Sequence, residues 1–146
     1  ADREGRTIVS FGPEAKRRVI GTETAIAMAR MLSDVVGPEG TAPRAAVPGF
    51  QVAGKTGTTR KVVDGKYSLK HHVASFTGFF PASRPRVVVS VVVDDPSKGG
   101  IAYGGRVAAP AFKNVATRLI RYLGIEAPDD ASQTFALRGG MFDSRY

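Results

Sequence analysis

Apolar and polar positions change period along this chain, and the changes mark a helix, three strands and a second helix. Ile26, Ala29, Leu32 and Val36 recur at helical spacing. Glu23 falls in the first turn, where the helix dipole favours negative charge, and Gly37-Pro38 supplies a stop. This predicts a helix opening at Gly21 or Thr22, with Met28 and Met31 beside its stripe as core filler. Residues 1–20 are polar apart from Ile8-Val9 and Val19-Ile20 and read as an irregular lead-in. A Gly-, Pro- and Ala-rich loop over 37–49 comes next. Phe50 to Thr56 can run extended, with Val52 and Gly54 on one face and Ala53 and Lys55 on the other. That segment ends at Val62-Val63, because Asp64-Gly65 signals a hairpin turn.

After a polar stretch to His72, Val73 to Phe80 reads as a strand closed by Pro81. Val87 to Val93 is almost continuously β-branched, which predicts a strand buried on both faces. The connection through Ser83-Arg84-Pro85-Arg86 is short, so these two strands should be antiparallel. Asp94 to Gly100 breaks the strand, and Tyr103-Gly104-Gly105 should stay irregular. Pro110 then suits the first turn of a helix bearing Phe112, Val115, Leu119, Tyr122 and Leu123 on one face, ended by Gly124. The expectation is an α+β fold: an antiparallel three-stranded sheet packed with a C-terminal helix over 1–124, and a loosely structured tail over 125–146.

Composition narrows the function classes. At 146 residues the chain can build one modest core. Its net charge of +8 is scattered, with Lys16-Arg17-Arg18 as the one cluster and no interleaved aromatics, so a basic soluble surface is favoured and no nucleic-acid partner is expected. The absence of cysteine excludes disulfides and thiolate metal sites. Adjacent His71 and His72 would point to opposite faces of a strand, which suits a surface role better than a metal site. Asp94 and Asp95 precede Pro96 and read as turn formers. No cofactor or metal is expected. No segment is apolar for long enough to cross a bilayer, no signal peptide is evident, and a first residue of Ala1 fits a chain that begins partway through a longer one.

Gly54-Lys55-Thr56-Gly57-Thr58-Thr59 carries the candidate chemistry, and two readings compete for it. With Gly49 it satisfies G-x-x-x-x-G-K-[ST], the phosphate-binding loop of a nucleotide-binding protein. Taken with Gly57 and Thr58, Lys55-Thr56 is the K-T-G element of serine acyl-transfer enzymes. A phosphate loop needs a strand before it and a helix after it. Pro48-Gly49 breaks the first, and the β-branched residues, Gly57 and Asp64-Gly65 weaken the second, so the strand reading is preferred.

Ordered blocks around the motif then resemble the C-terminal part of a class B penicillin-binding protein, a peptidoglycan D,D-transpeptidase. They are Arg18-Val19-Ile20, Pro48 to Thr58, Ala74 to Ala82, Val91 to Pro96, and Tyr103 to Phe112. The resemblance implies that Lys55 supplies positive charge for proton transfer and that Thr56 and Thr58 hydrogen-bond the substrate carboxylate. It further implies that Gly57 leaves the strand edge bare for the ligand, and that the Thr58 N–H donates in the oxyanion hole. Thr59 and Tyr103 join the expected substrate-binding set, Tyr103 either at the cleft mouth or capping the core edge. Implied partners are peptidoglycan stem peptides, β-lactams and the preceding part of the same domain. The parent would be membrane-anchored at the periplasmic face of the inner membrane, working with cell-wall synthesis proteins in elongation or division.

One departure limits what this chain can do. No serine is followed three residues later by lysine or two residues later by asparagine, so neither S-x-x-K nor S-x-N is present. The expectation is therefore a transpeptidase segment inactive without its nucleophile region. The alternatives are a non-catalytic penicillin-binding or sensor module and, less favoured, a phosphate-loop nucleotide binder.

Overall fold

The computed structural model describes residues 17–96 and 103–127. Helix α1 spans Thr22–Asp34 and is followed by a single 3-10 turn over Pro43–Ala45. Three strands come next, β1 over Ala53–Val63, β2 over Lys66–Phe80 and β3 over Val87–Asp94, and helix α2 spans Gly104–Tyr122. The strands form one antiparallel sheet in the order β1-β2-β3. This is the expected α+β arrangement, with element order as the periodicity predicts.

The hairpin turn is where the sequence placed it. Asp64 and Gly65 both adopt positive φ, 50° and 73°, between the paired residues Val63 and Lys66. Two left-handed residues in succession match the twist of the flanking strands, and Asp-Gly is a pair that tolerates them. The strand leaving this turn is longer than expected. Lys66 to His72, read as a polar connection, is part of β2. Of these residues, Lys66, Tyr67 and His72 pair with β1, Ser68 to His71 fall in a register shift opposite Lys61, and β3 meets β2 only from Val73 to Phe80. A two-stranded ribbon exposed on both sides has no buried face, so no hydrophobic alternation announced it.

The core lies between one face of the sheet and α2. Phe76, Phe80 and Phe112 are its largest fully buried side chains. The Phe112 ring meets Phe76 edge-on at 4.9 Å between centroids and Phe80 at 6.1 Å. Ala108, Ala109 and Ala116 bring the helix close to the sheet, and Val36, Ala42, Ala45, Val47 and Val52 extend the core beneath the loop that leads into β1.

Several expectations are corrected. Val87–Val93 is not buried on both faces: Val87, Val89 and Val91 pack on the core, whereas Val88 and Val92 are 69 % and 61 % exposed. No second layer covers that side among the described residues, so an almost continuously β-branched run serves a half-buried strand. Met28 and Met31 do not fill the core; both are exposed, and α1 buries no residue fully. Helix α2 begins at Gly104, so Tyr103 and not Pro110 marks its start, and Pro110 lies inside it. The buried stripe of α2 is Ala108, Ala109, Phe112 and Ala116, while Val115, Tyr122 and Leu123 are exposed. Small alanines let the helix sit close, and that packing overrides the unfavourable Gly-Gly and internal proline. Of the expected tail, Ile125 is buried, its N–H bonded to the Ile120 carbonyl; residues 128–146 lie outside the described residues, as do 1–16 of the lead-in.

Candidate active-site wall

Residues Lys55 to Thr59 lie within β1, an edge strand of the sheet. Strand alternation sends Thr56 and Thr58 to the face that carries α2, and Lys55, Gly57 and Thr59 to the other. No helix follows Thr56; the chain stays extended to Val63. That overturns the phosphate-loop reading, which requires helix N-terminal amides directly after the Lys-Thr pair.

Three pieces of chain meet at Thr56 and Thr58. The first turn of α2 is seated on the sheet, and the Gly104 N–H donates to Thr58 Oγ1 at 3.2 Å. A side chain on Gly104 would strike the carbonyl oxygens of Ser75 and Gly57, so this close approach admits only glycine. Gly105 packs in the same way against the carbonyl of Thr41. Thr41 in turn shares a hydrogen bond with Thr56, Oγ1 to Oγ1 at 3.2 Å. From the far side of the strand Lys55 Nζ reaches the Thr56 carbonyl at 3.1 Å and Thr56 Oγ1 at 3.4 Å. Its exposed ammonium is thereby held beside the Thr56 hydroxyl.

Between these pieces lies a cavity of about 440 Å³ lined by Thr41, Pro43, Arg44, Thr56, Thr58, Tyr103, Gly104, Gly105 and Arg106. Of the residues expected to bind substrate, Thr56, Thr58 and Tyr103 converge here, with Tyr103 exposed and lining the cavity. Thr59 and Gly57 do not line it; the vacant side-chain position of Gly57 faces the Ser75 hydroxyl on β2. Sequence reasoning missed Thr41, Arg44 and Arg106. The first two belong to a loop without periodicity, and Arg106 gained meaning only when Gly104 proved to start a helix.

A separate polar group stands where β3 ends beside the ribbon. Lys61 Nζ pairs with Asp94 at 2.9 Å, and His71 Nδ1 lies 2.6 Å from Asp95 Oδ2. Asp95 has positive φ, 49°, and its N–H bonds the His72 carbonyl, so it does form the expected turn, yet both aspartates also hold a partner. The His71 hydrogen bond is the main influence that lowers the Asp95 pKa below its ordinary 3.8. The Asp94 hydrogen bond likewise raises that of Lys61 above 10.5. Among the described residues no cluster of His, Asp and Glu is arranged to hold a metal ion. None of their helices is long and apolar enough to cross a membrane.

Comparison with known proteins places this geometry. The penicillin-binding protein transpeptidase domain family matches residues 10–117. Stage V sporulation protein D of Bacillus subtilis is 46 % identical over 121 residues, which are 83 % of this chain and 18 % of that protein. The probable peptidoglycan D,D-transpeptidase PenA of Neisseria flavescens is 41 % identical over 134 residues, 89 % of this chain and 33 % of its own length. The chain therefore spans between about a fifth and a third of these curated relatives. Among solved structures, penicillin-binding protein 3 of Mycobacterium tuberculosis in complex with ampicillin superposes with a TM-score of 0.69 at 32 % identity, covering 84 % of this chain and 29 % of that one. The apo transpeptidase domain of penicillin-binding protein 3 from Burkholderia pseudomallei gives a TM-score of 0.65 at 44 % identity, with 72 % and 31 % covered. With an antiparallel sheet, a helix seated across it and a match over most of its length, this chain belongs to the penicillin-binding protein transpeptidase domain family.

Proposed function

We propose that this chain forms one wall of the acyl-transfer site of a peptidoglycan D,D-transpeptidase and is inactive without the nucleophile-bearing part of the domain. The observation that carries the reading is the convergence of Thr56, Thr58 and Tyr103 on one cavity at an edge strand, with the Lys55 ammonium beside them. In this role Thr56 and Thr58 hydrogen-bond the terminal carboxylate of a stem peptide or a β-lactam. Lys55 adds the positive charge that favours that anion and assists proton transfer to the serine pair supplied by the rest of the domain. The Thr58 N–H stabilises the oxyanion, a contribution of about 3 kcal/mol for one such donor. Gly57 and Thr59, on the opposite face, border the approach along the strand.

Two measurements test this. Incubated with a fluorescent penicillin, the isolated chain should show no covalent adduct by mass spectrometry, because it lacks S-x-x-K. An adduct on a serine would overturn the claim of inactivity. In a complete transpeptidase domain carrying this segment, Lys55→Ala should slow acylation by about 10²-fold or more with stability unchanged. Full activity of that variant would remove Lys55 from the mechanism. Acylation without cross-linking by the unmutated domain would instead support a sensor. We further propose, from the same family membership, that the parent works outside the inner membrane, anchored in it and beside other cell-wall synthesis proteins.

A further inference from the structure

The cavity beside β1 holds more positive charge than one terminal carboxylate engages. Arg44 and Arg106 both line it, and no acidic side chain does. Both arginines are exposed, and among the described residues neither has an ion-pair partner. They arrive from separate elements, each fixed by contacts away from the arginine itself. Arg44 sits in the 3-10 turn next to the fully buried Ala45, in the loop tied to β1 through Thr41 and Thr56. Arg106 is in the first turn of α2, which Gly104 and Gly105 seat against Thr58 and Thr41.

Two arginines lining one cavity with no acidic residue beside them place positive charge at its wall, which favours an arriving anion. A guanidinium also offers a planar fork of donors that matches a carboxylate. The threonine hydroxyls suffice for one carboxylate, which leaves the arginines available for another. We propose that Arg44 and Arg106 form a second anion subsite, which selects ligands carrying a further carboxylate besides the one held at Thr56 and Thr58. The class implied is a D-Ala-D-Ala-type peptide, or a β-lactam, with an additional free carboxylate on its acyl side. This rests on the reading of the two threonines as the terminal-carboxylate site.

The test titrates the isotope-labelled 146-residue chain, followed by NMR, with N-acetyl-D-Ala-D-Ala and with its N-succinyl analogue, in which a carboxymethyl group replaces one acetyl hydrogen and adds one negative charge. The dianion should bind about threefold to tenfold more tightly at low salt, as expected for one or two exposed ion pairs. Raising the ionic strength should erase most of that advantage. Arg106→Gln or Arg44→Gln should each reduce it, whereas Arg106→Lys should retain part of it. Equal affinity for the two peptides, with binding still lost in Thr58→Val, would overturn the second subsite and leave the threonine reading in place. A dianion preference untouched by either glutamine variant would overturn the assignment to these arginines. If neither peptide shifts the amides of Lys55 to Thr59, the threonine reading fails and the subsite fails with it.

Discussion

The Thr58 hydroxyl proposed to hold the substrate carboxylate is also a structural group. It accepts from the Gly104 N–H, one of the first amides of α2, which has no intrahelical acceptor. The N-cap residue itself, Tyr103, makes no side-chain cap. Thr58→Val should therefore leave a part-buried N–H unsatisfied and cost about 1–2 kcal/mol in urea denaturation, whereas Thr58→Ser should lose little. An unchanged midpoint for the valine variant would show that water replaces the hydroxyl there. The sequence disclosed that Thr58 belongs to a motif, since Lys-Thr-Gly-Thr stands among ordered blocks. It could not disclose the partner, because Gly104 lies 46 residues away and reads as a helix breaker.

At the scale of elements, the ribbon formed by the far ends of β1 and β2 is tied to the end of β3 by an ion pair, Lys61–Asp94, and a hydrogen bond, His71–Asp95. Asp95 titrates below its ordinary 3.8 in the folded chain. Such a group contributes stability above its unfolded pKa and loses it as the pH falls through the lower folded value. Asp95→Asn should thus lower the melting temperature by a constant amount above about pH 5 and by progressively less in acid, which flattens the acid side of a plot of melting temperature against pH. A parallel loss of stability at every pH would mean that the carboxylate acts through geometry and not charge. Strands and turns were legible where a buried face or a left-handed turn imposed a pattern, as at Val73 to Phe80 and Asp64-Gly65. They were not legible in the ribbon, which has two exposed faces, nor at the start of α2. There, tertiary seating overrules the preference of two glycines for irregular chain.

For the whole molecule, the sheet presents opposite characters on its two faces. One is packed beneath α2; the other exposes Val88 and Val92, and the hydrophobic Ile26, Met28 and Met31 of α1 are also uncovered. Exposed apolar surface of this kind drives association. The isolated chain should self-associate with increasing concentration in analytical ultracentrifugation. Val88→Lys with Val92→Lys should reduce this at little cost in stability, since neither valine is in the core. Unaltered association would assign it to α1 or to the open strand edges. The composition of 42 % hydrophobic residues did not reveal this imbalance, because it counts apolar residues without saying which side they occupy.

The seating of α2 carries a consequence for how substitutions reach the cavity. One end of this helix carries Tyr103 and Arg106, and further along it Phe112 is wedged between Phe76 and Phe80. Since Gly104 rests on backbone atoms that cannot yield, the helix has little freedom to tilt at that end alone. It behaves as a rigid beam resting on two supports, the strand backbone and the phenylalanine wedge. A change in ring volume at the wedge would therefore pivot the helix about its Gly104 end and displace its later turns, while the cavity, which lies at the pinned end, keeps its width. The geometry of this wall is in that way insulated from repacking of the core behind it.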